Sequence, residues 1–472
     1  MRDFLAVSLF LLICTFRTFI CQDAQPVSLC SDDPKYGSNF YPYFGSRTLY
    51  KHVRGELPKT RAHMRGCRPL YVYIVARHGS RYPHKGIHAK NQRLFQLARQ
   101  INTLGTATLC SKDIQALRNW RVWTNSSINR NQTDYGDEEI RGIARRFKRM
   151  LPELFPENAK PNKYSFLSSD FPRTIDSMQV FAEEILGQRT NEANLEVEGK
   201  NVTSSIIRSY KNCLKYQTQV FDNDERFLQF NRFFLRNRGF GGRARNLIAT
   251  RLGVPVSIVT KKLVFIFYEI CYLQQRVETV NGPWCSLFSR LDLKRFEYAS
   301  DLKETGLRTS LNEVTYKQSC PLAKDIIGNL NDAVEADRTG GDHPMGAFRF
   351  GHVTTILSVG ENLGLFQTGN PLRNGDYFVG QKTRFRSART IPSAGNLAFV
   401  LYKCENARAN NDRYSVEVYH NEKLVVPPSC SRFVEWDGNY FCPMQDFLRR
   451  YEEFIPGSRQ ECNFEKICRV RN

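Results

Sequence analysis

The run Leu70-Tyr71-Val72-Tyr73-Ile74-Val75-Ala76 is apolar, β-branched and aromatic with no polar alternation, the pattern of a strand covered on both faces, as in a parallel sheet. Such a strand requires layers above and below it, which places the chain among α/β folds. Arg77-His78-Gly79-Ser80-Arg81-Tyr82-Pro83 follows at the strand's carboxyl end. A helix is predicted over Ala89 to Leu104, with Leu94, Phe95, Leu97, Ala98 and Ile101 on one side. Strand, loop, helix is the order in which α/β sheets build ligand sites.

The same order recurs downstream. Ile140, Ile143, Ala144, Phe147, Met150 and Leu151 lie at helical spacing. Tyr164 to Ser168 reads as a second strand, and a helix is predicted from Pro172 to Leu186, with Arg173 at the turn between them. From Gly187 to Cys320 the alternation gives way to basic, aromatic-rich helical stretches, Glu225 to Phe240 and Ser257 to Gln275, read as an inserted cap. A helix at Leu322 to Ala336, a turn at Thr339-Gly340-Gly341-Asp342 and a strand at Ala347 to Phe350 restore the pattern, with His352 at the strand's end. Leu397 to Tyr402 is a further strand, and Val416 to Tyr419 with Lys423 to Val426 a hairpin. The 472 residues exceed the roughly 250 to 300 that one core sustains, so more than one lobe is expected. The division read is 22–186 for the first part of the core, 187–320 for the cap, and 321–472 for the second part with a Cys-rich end.

Phe4 to Phe16 is apolar behind Arg2 and is stopped by Arg17, shorter than the roughly 20 residues of a bilayer span. It predicts a secretory leader over residues 1–21 rather than an anchor, and no later transmembrane segment is expected. Of 14 cysteines, Cys14 and Cys21 fall in the leader, and the even remainder suits disulfides, with pairing unreadable. Cys430, Cys442, Cys462 and Cys468 read as a stapled C-terminal region whose spacing does not suit zinc. Asn125, Asn131 and Asn201 head glycan acceptor triplets. No retention tetrapeptide closes the chain, favouring secretion over the endoplasmic reticulum lumen. The formal net charge of +21 favours polyanionic ligands, and a phosphorylated small molecule ranks above nucleic acid because no nucleic-acid module is recognisable.

A phosphoryl group needs cationic donors around its oxygens and a nucleophile in line with the leaving oxygen. Arg77, Arg81 and Arg173 offer guanidinium forks that match phosphate bidentately, and a neutral His78 imidazole is a suitable nucleophile. Gly79 permits close backbone approach.

Arg77 to Pro83 resembles the RHGxRxP signature of branch 2 of the histidine phosphatases, which contains acid phosphatases and phytases. Ser168-Ser169-Asp170-Phe171-Pro172-Arg173-Thr174 is similar to that family's second arginine motif. Gly282 to Ser289, Asn396 to Cys404 and Val416 to Leu424 resemble segments of multiple inositol polyphosphate phosphatases. The resemblance runs from about Arg68 to Cys442. It implies the phosphoglycerate mutase-like α/β fold, a mostly parallel sheet flanked by helices with a mostly helical cap. It also implies hydrolysis of inositol polyphosphates through a phosphohistidine on His78, with Arg77, Arg81, Arg173 and His352 holding the phosphate, and no metal or other cofactor.

One position departs from the family. Where its histidine is followed by an acid, as His-Asp or His-Ala-Glu, this chain has His352-Val353-Thr354. The acid protonates the leaving alkoxide and then activates water, and losing it costs on the order of 10² to 10⁴ in rate. Asp342 and Asp170 are candidate substitutes. Glu361 lies about 10 Å further along the helix, too far for direct transfer. Two readings follow: a phosphatase slowed at this step, or a secreted protein that sequesters inositol phosphates or other polyanions. Phosphate transfer between sugars or glycerates uses the same phosphohistidine and stays open.

Overall fold

The computed structural model describes residues 42–470, apart from 59–65, 102–106, 123–129, 200–204, 237–238, 279–281, 309–311, 367–371, 376, 378–384, 406–412, 429, 431–433, 437–438 and 460. The leader and the acceptors Asn125 and Asn201 lie outside the described residues; Asn131 is exposed.

A sheet of nine strands organises the chain. In chain order they are β1 Cys67–Arg77, β2 Tyr164–Ser168, β3 Leu195–Val197, β4 Gly346–Gly351, β5 Asn396–Cys404, β6 Tyr414–His420, β7 Lys423–Val425, β8 Val434–Trp436 and β9 Asn439–Pro443. Their order across the sheet is β3-β2-β4-β1-β5-β6-β9-β8, with β7 paired to β6. β3, β2, β4 and β1 run parallel, whereas every pairing from β1/β5 outward is antiparallel. The sheet is therefore mixed, and the expected parallel character belongs to the half that bears the loop Arg77 to Pro83.

Helices of eight or more residues are α1 Gly86–Gln100, α2 Ser111–Asn119, α3 Asp134–Met150, α4 Pro172–Leu186, α5 Phe240–Leu252, α6 Lys261–Glu278, α7 Arg290–Arg308, α8 Cys320–Thr339 and α9 Val353–Asn362. β1 is buried from Pro69's neighbour Leu70 through Arg77, and its alternate residues serve two cores. Val72, Ile74 and Ala76 pack with Ile140, Phe147 and Phe181 of α3 and α4. Tyr71, Tyr73 and Val75 pack with Ile326, Leu330 and Ile356 of α8 and α9. Local signals set the helix ends. α3 is capped by Thr133 Oγ1, which accepts from Gly136 N at 3.0 Å, and carries Asp134 and Asp137 in its first turn and Lys148 and Arg149 in its last, both favourable to the helix dipole. α4 opens on Pro172 and stops at Gly187, whose φ is +58°.

The stretch between α4 and α8 holds most of the remaining helices, but two readings change there. β3 pairs with β2 in the sheet; three residues are too few to carry a strand period. Glu225 to Phe240 is not one helix: it breaks into 3₁₀, α and π turns, and the next long helices are α5, which begins at Phe240, and α6, which begins at Lys261. Disulfides Cys67–Cys404, Cys213–Cys468, Cys271–Cys285, Cys320–Cys462 and Cys430–Cys442 join described residues. The C-terminal cysteines are thus not stapled only to one another, since Cys462 and Cys468 reach back to Cys320 and Cys213. Among the described residues no helix is long and apolar enough to cross a membrane.

Candidate active site

His78 leaves β1 at the sheet's carboxyl edge, beside the end of β4. Its backbone is held on both sides: His78 N donates to Gly351 O at 3.1 Å, and His78 O accepts from Ala394 N at 3.2 Å. The ring is oriented by Nδ1, 2.8 Å from Gly79 O. Because a carbonyl only accepts, Nδ1 carries the proton and the Nε2 lone pair is left for attack. Burial first, then the Arg77 and Arg173 charges, hold His78 well below the ordinary histidine range. The imidazole is therefore neutral, which is its nucleophilic form.

The loop after His78 is held by α3 and α4. Gly79 N donates to Gln132 Oε1 at 3.0 Å and to Ser177 Oγ at 3.2 Å. Ser80 N donates to Glu139 Oε2 at 2.8 Å, and the other oxygen of that buried carboxylate accepts from Tyr50 N at 2.9 Å. Gly79 meets the backbone of Gly136 so closely that a Cβ would overlap the Gly136 carbonyl. The close approach anticipated at Gly79 is thus to the first turn of α3.

The cations gather around this loop. Arg77 is buried, and its Nη1 donates to the carbonyls of Ser46, Ile391 and Pro392 at 2.5 to 2.8 Å, which fixes its guanidinium. Arg81 is pulled down to about 9 by burial and by Arg173, Arg47 and Arg130. Arg173, in the first turn of α4, is pulled down to about 10 by burial and by Arg130 and Arg208. Arg173 Nη2 lies 3.3 Å from His352 Nδ1, and His352 Nε2 lies 3.0 Å from Ser169 Oγ. Guanidinium only donates, so His352 Nδ1 accepts and Nε2 carries the proton. The His78 and His352 rings stand edge to face with centroids 5.7 Å apart. Arg173 and Arg208 both lie over the Phe171 ring, their guanidinium carbons 4.6 and 4.5 Å from its centre. The predicted residues His78, Arg77, Arg81, Arg173 and His352 therefore meet at one edge of the sheet.

Others were not read from sequence. Arg276, in the last turn of α6, is almost wholly buried; burial and the Arg81, Arg77 and Arg47 charges depress it strongly, and its Nε and Nη2 have no hydrogen-bond partner. Among the described residues, Arg81, Arg173 and Arg276 form no ion pair within 4.0 Å. A cluster of like charges without matching carboxylates is a receptor for an anion. Replacing Arg276 with Met should therefore act in two directions. Phosphate affinity should fall roughly 10- to 100-fold, the loss of one charge-assisted contact of about 1.5 to 3 kcal/mol, while the ligand-free protein should melt at a higher temperature because a repelled charge is gone. Calorimetry and thermal melts in a phosphate-free buffer check both.

Thr354 is buried in the first turn of α9, two residues after His352. Neither proposed substitute acid suits the task. Asp342 is exposed, ion-pairs with Lys163, and precedes β4, at the opposite end of that strand from His352. Asp170 follows Ser169, whose Oγ meets His352, but its Oδ1 is held by Arg208 Nη1 at 2.5 Å.

A buried neutral imidazole aimed from a loop of arginines defines a phosphoryl-transfer site working through a histidine nucleophile. The chain belongs to branch 2 of the histidine phosphatase superfamily, whose family model matches residues 70–421. It is 28% identical over 444 residues to multiple inositol polyphosphate phosphatase 1 of Gallus gallus, spanning 91% of this chain and 92% of that one. The Homo sapiens protein of the same name is 28% identical over 466 residues, 94% of this chain and 92% of that one. Among solved structures, the phytase from D. castellii shares the fold with a TM-score of 0.69 at 17% identity, covering 95% of this chain and 93% of that one. The multiple inositol polyphosphate phosphatase of Bifidobacterium longum, crystallised with inositol hexasulfate, has a TM-score of 0.60 at 15% identity, covering 86% and 96%.

Proposed function

We propose that the chain is a secreted phosphomonoesterase that hydrolyses inositol polyphosphates, such as inositol hexakisphosphate, through a phosphohistidine on His78. The observation that carries this reading is the Nδ1 to Gly79 O bond, which presents the Nε2 lone pair of a neutral ring within an arginine cluster. In the reaction, Arg77, Arg81 and Arg173 with His352 hold the scissile phosphate and His78 attacks phosphorus. Water then releases phosphate from the histidine. Thr354 slows both proton transfers, because its hydroxyl is too weak an acid to protonate an alkoxide and gives no accessible base. The relatives' names and their near-complete coverage support the substrate class. The disulfides fit an oxidising compartment, and residues 187–320 act as the cap over the cleft.

Thr354 also favours a second reading, a protein that binds inositol phosphates or other polyanions without turnover. Release of inorganic phosphate from inositol hexakisphosphate by the purified chain separates the two. Steady release supports hydrolysis; stoichiometric, tight binding with no release and no label on His78 replaces it with sequestration.

A further inference from the structure

A cavity of about 640 Å³ opens beside the arginine cluster, and Arg47 and Tyr272 belong to its lining. Both also act electrostatically on Arg81. Along α6 the lining residues are Lys261, Lys262, Phe265, Ile266, Glu269 and Tyr272, one helical face about 16 Å long at about 1.5 Å per residue. Phe44, Phe227, Phe230 and Phe234 complete an aromatic wall. An inositol polyphosphate is charged around its ring and has little apolar surface to bury against these rings.

The cations of the cavity are not equivalent. Lys90 pairs with Glu269 at 2.5 Å, Arg47 with Glu304 at 3.4 Å, and Lys261 Nζ donates to Leu235 O at 2.7 Å. Lys303 Nζ instead rests 3.9 Å from the Phe230 ring centre and 4.1 Å from that of Phe265. Among the described residues it has neither a hydrogen-bond acceptor nor an ion pair, although an ammonium carries three donors. Burial, Arg47 and Lys90 pull it down to about 8, Glu269 opposing them. An anion at this point would relieve that cost.

We propose that the cavity binds a single-chain anionic amphiphile, with its apolar tail along α6 between the phenylalanine rings and its anionic head on Lys303 Nζ. The proposal goes beyond phosphate hydrolysis and does not depend on it. An apolar tail matches the aromatic wall, and an anionic head matches Lys303, whose ammonium lies over two aromatic rings with no acceptor among the described residues.

Laurate, kept below its micelle concentration, is titrated into the full-length oxidised protein by calorimetry, with and without saturating inorganic phosphate. One laurate should bind per chain in both conditions with a negative heat-capacity change. Lys303→Met, which keeps the apolar stem, should weaken binding roughly tenfold or more. Phe227→Asp, at a half-buried lining position, should abolish it, with thermal melts verifying that the variants are folded; if Phe227→Asp does not fold, Lys303→Met alone decides. Absence of binding, or binding indifferent to Lys303→Met, overturns the proposal. So does displacement of laurate by phosphate, which would put the head in the arginine pocket.

Discussion

Replacing His78 with Ala should reduce phosphate release from inositol hexakisphosphate by a factor on the order of 10⁴ or more, the range seen when a covalent nucleophile is removed. Arg81 and Arg173 remain in this variant, so calorimetry should still register bound phosphate. The covalent step has its own readout. Phosphohistidine survives an alkaline quench, so the parent chain mixed with radiolabelled substrate should retain label and the variant should retain none. The depressed pKa of His78 adds a direction in pH. A ring of ordinary pKa is protonated and loses its lone pair as pH falls through about 6.5, whereas this one stays neutral below that value, so labelling should persist to pH values below it. Undiminished release by His78→Ala would locate the nucleophile elsewhere.

Thr354→Glu should raise turnover of inositol hexakisphosphate by at least about 10², the lower end of what a positioned acid contributes. The start of α9 is a favourable place for a carboxylate, because the helix dipole stabilises negative charge there. The choice of substrate separates the two steps that Thr354 affects. An aryl phosphate such as 4-nitrophenyl phosphate has a leaving group that departs without a proton. The parent should therefore give a rapid burst of about one nitrophenolate per chain and then a slow phase limited by attack of water on phosphohistidine. In Thr354→Glu the slow phase should quicken while the burst amplitude stays the same. A variant no faster than the parent on either substrate would show that position 354 does not limit the rate.

Much of the site could be read along the chain because its chemistry is local. Arg77, His78 and Arg81 lie on one loop after a buried strand, and Arg173 follows a proline that marks the first turn of α4. The helix read from about Pro172 to Leu186 agrees with the observed α4, which opens on that proline. Other members depend on contacts made far away in sequence. Arg276 joins the cluster only because α6 folds back against the sheet edge, and in sequence it is one arginine among many. Glu139 did leave a signal: it shares the stripe of Gly136, Ile140, Ile143 and Phe147 in α3, where a carboxylate on the apolar face needs buried donors, here Tyr50 N and Ser80 N. The strands β3, β8 and β9 were missed because they have three to five residues each, too short for periodicity. Disulfide partners such as Cys67 and Cys404, 337 residues apart, follow from the pairing of β1 with β5 and from nothing nearer.

The arginine cluster also governs what happens after chemistry. Among the described residues, Arg81 stands within the charge of Arg173, Arg276 stands within that of Arg81, and none of the three has an ion pair, so release of inorganic phosphate restores a repulsion that the bound anion relieves and is expected to be slow. Product escape, rather than bond cleavage, then sets the steady-state rate wherever the chemical step is fast. Phosphate carried over from purification should then act as a competitive inhibitor, and in Thr354→Glu, where the chemical step is quickened, added salt should speed turnover by screening the charges that retain the product.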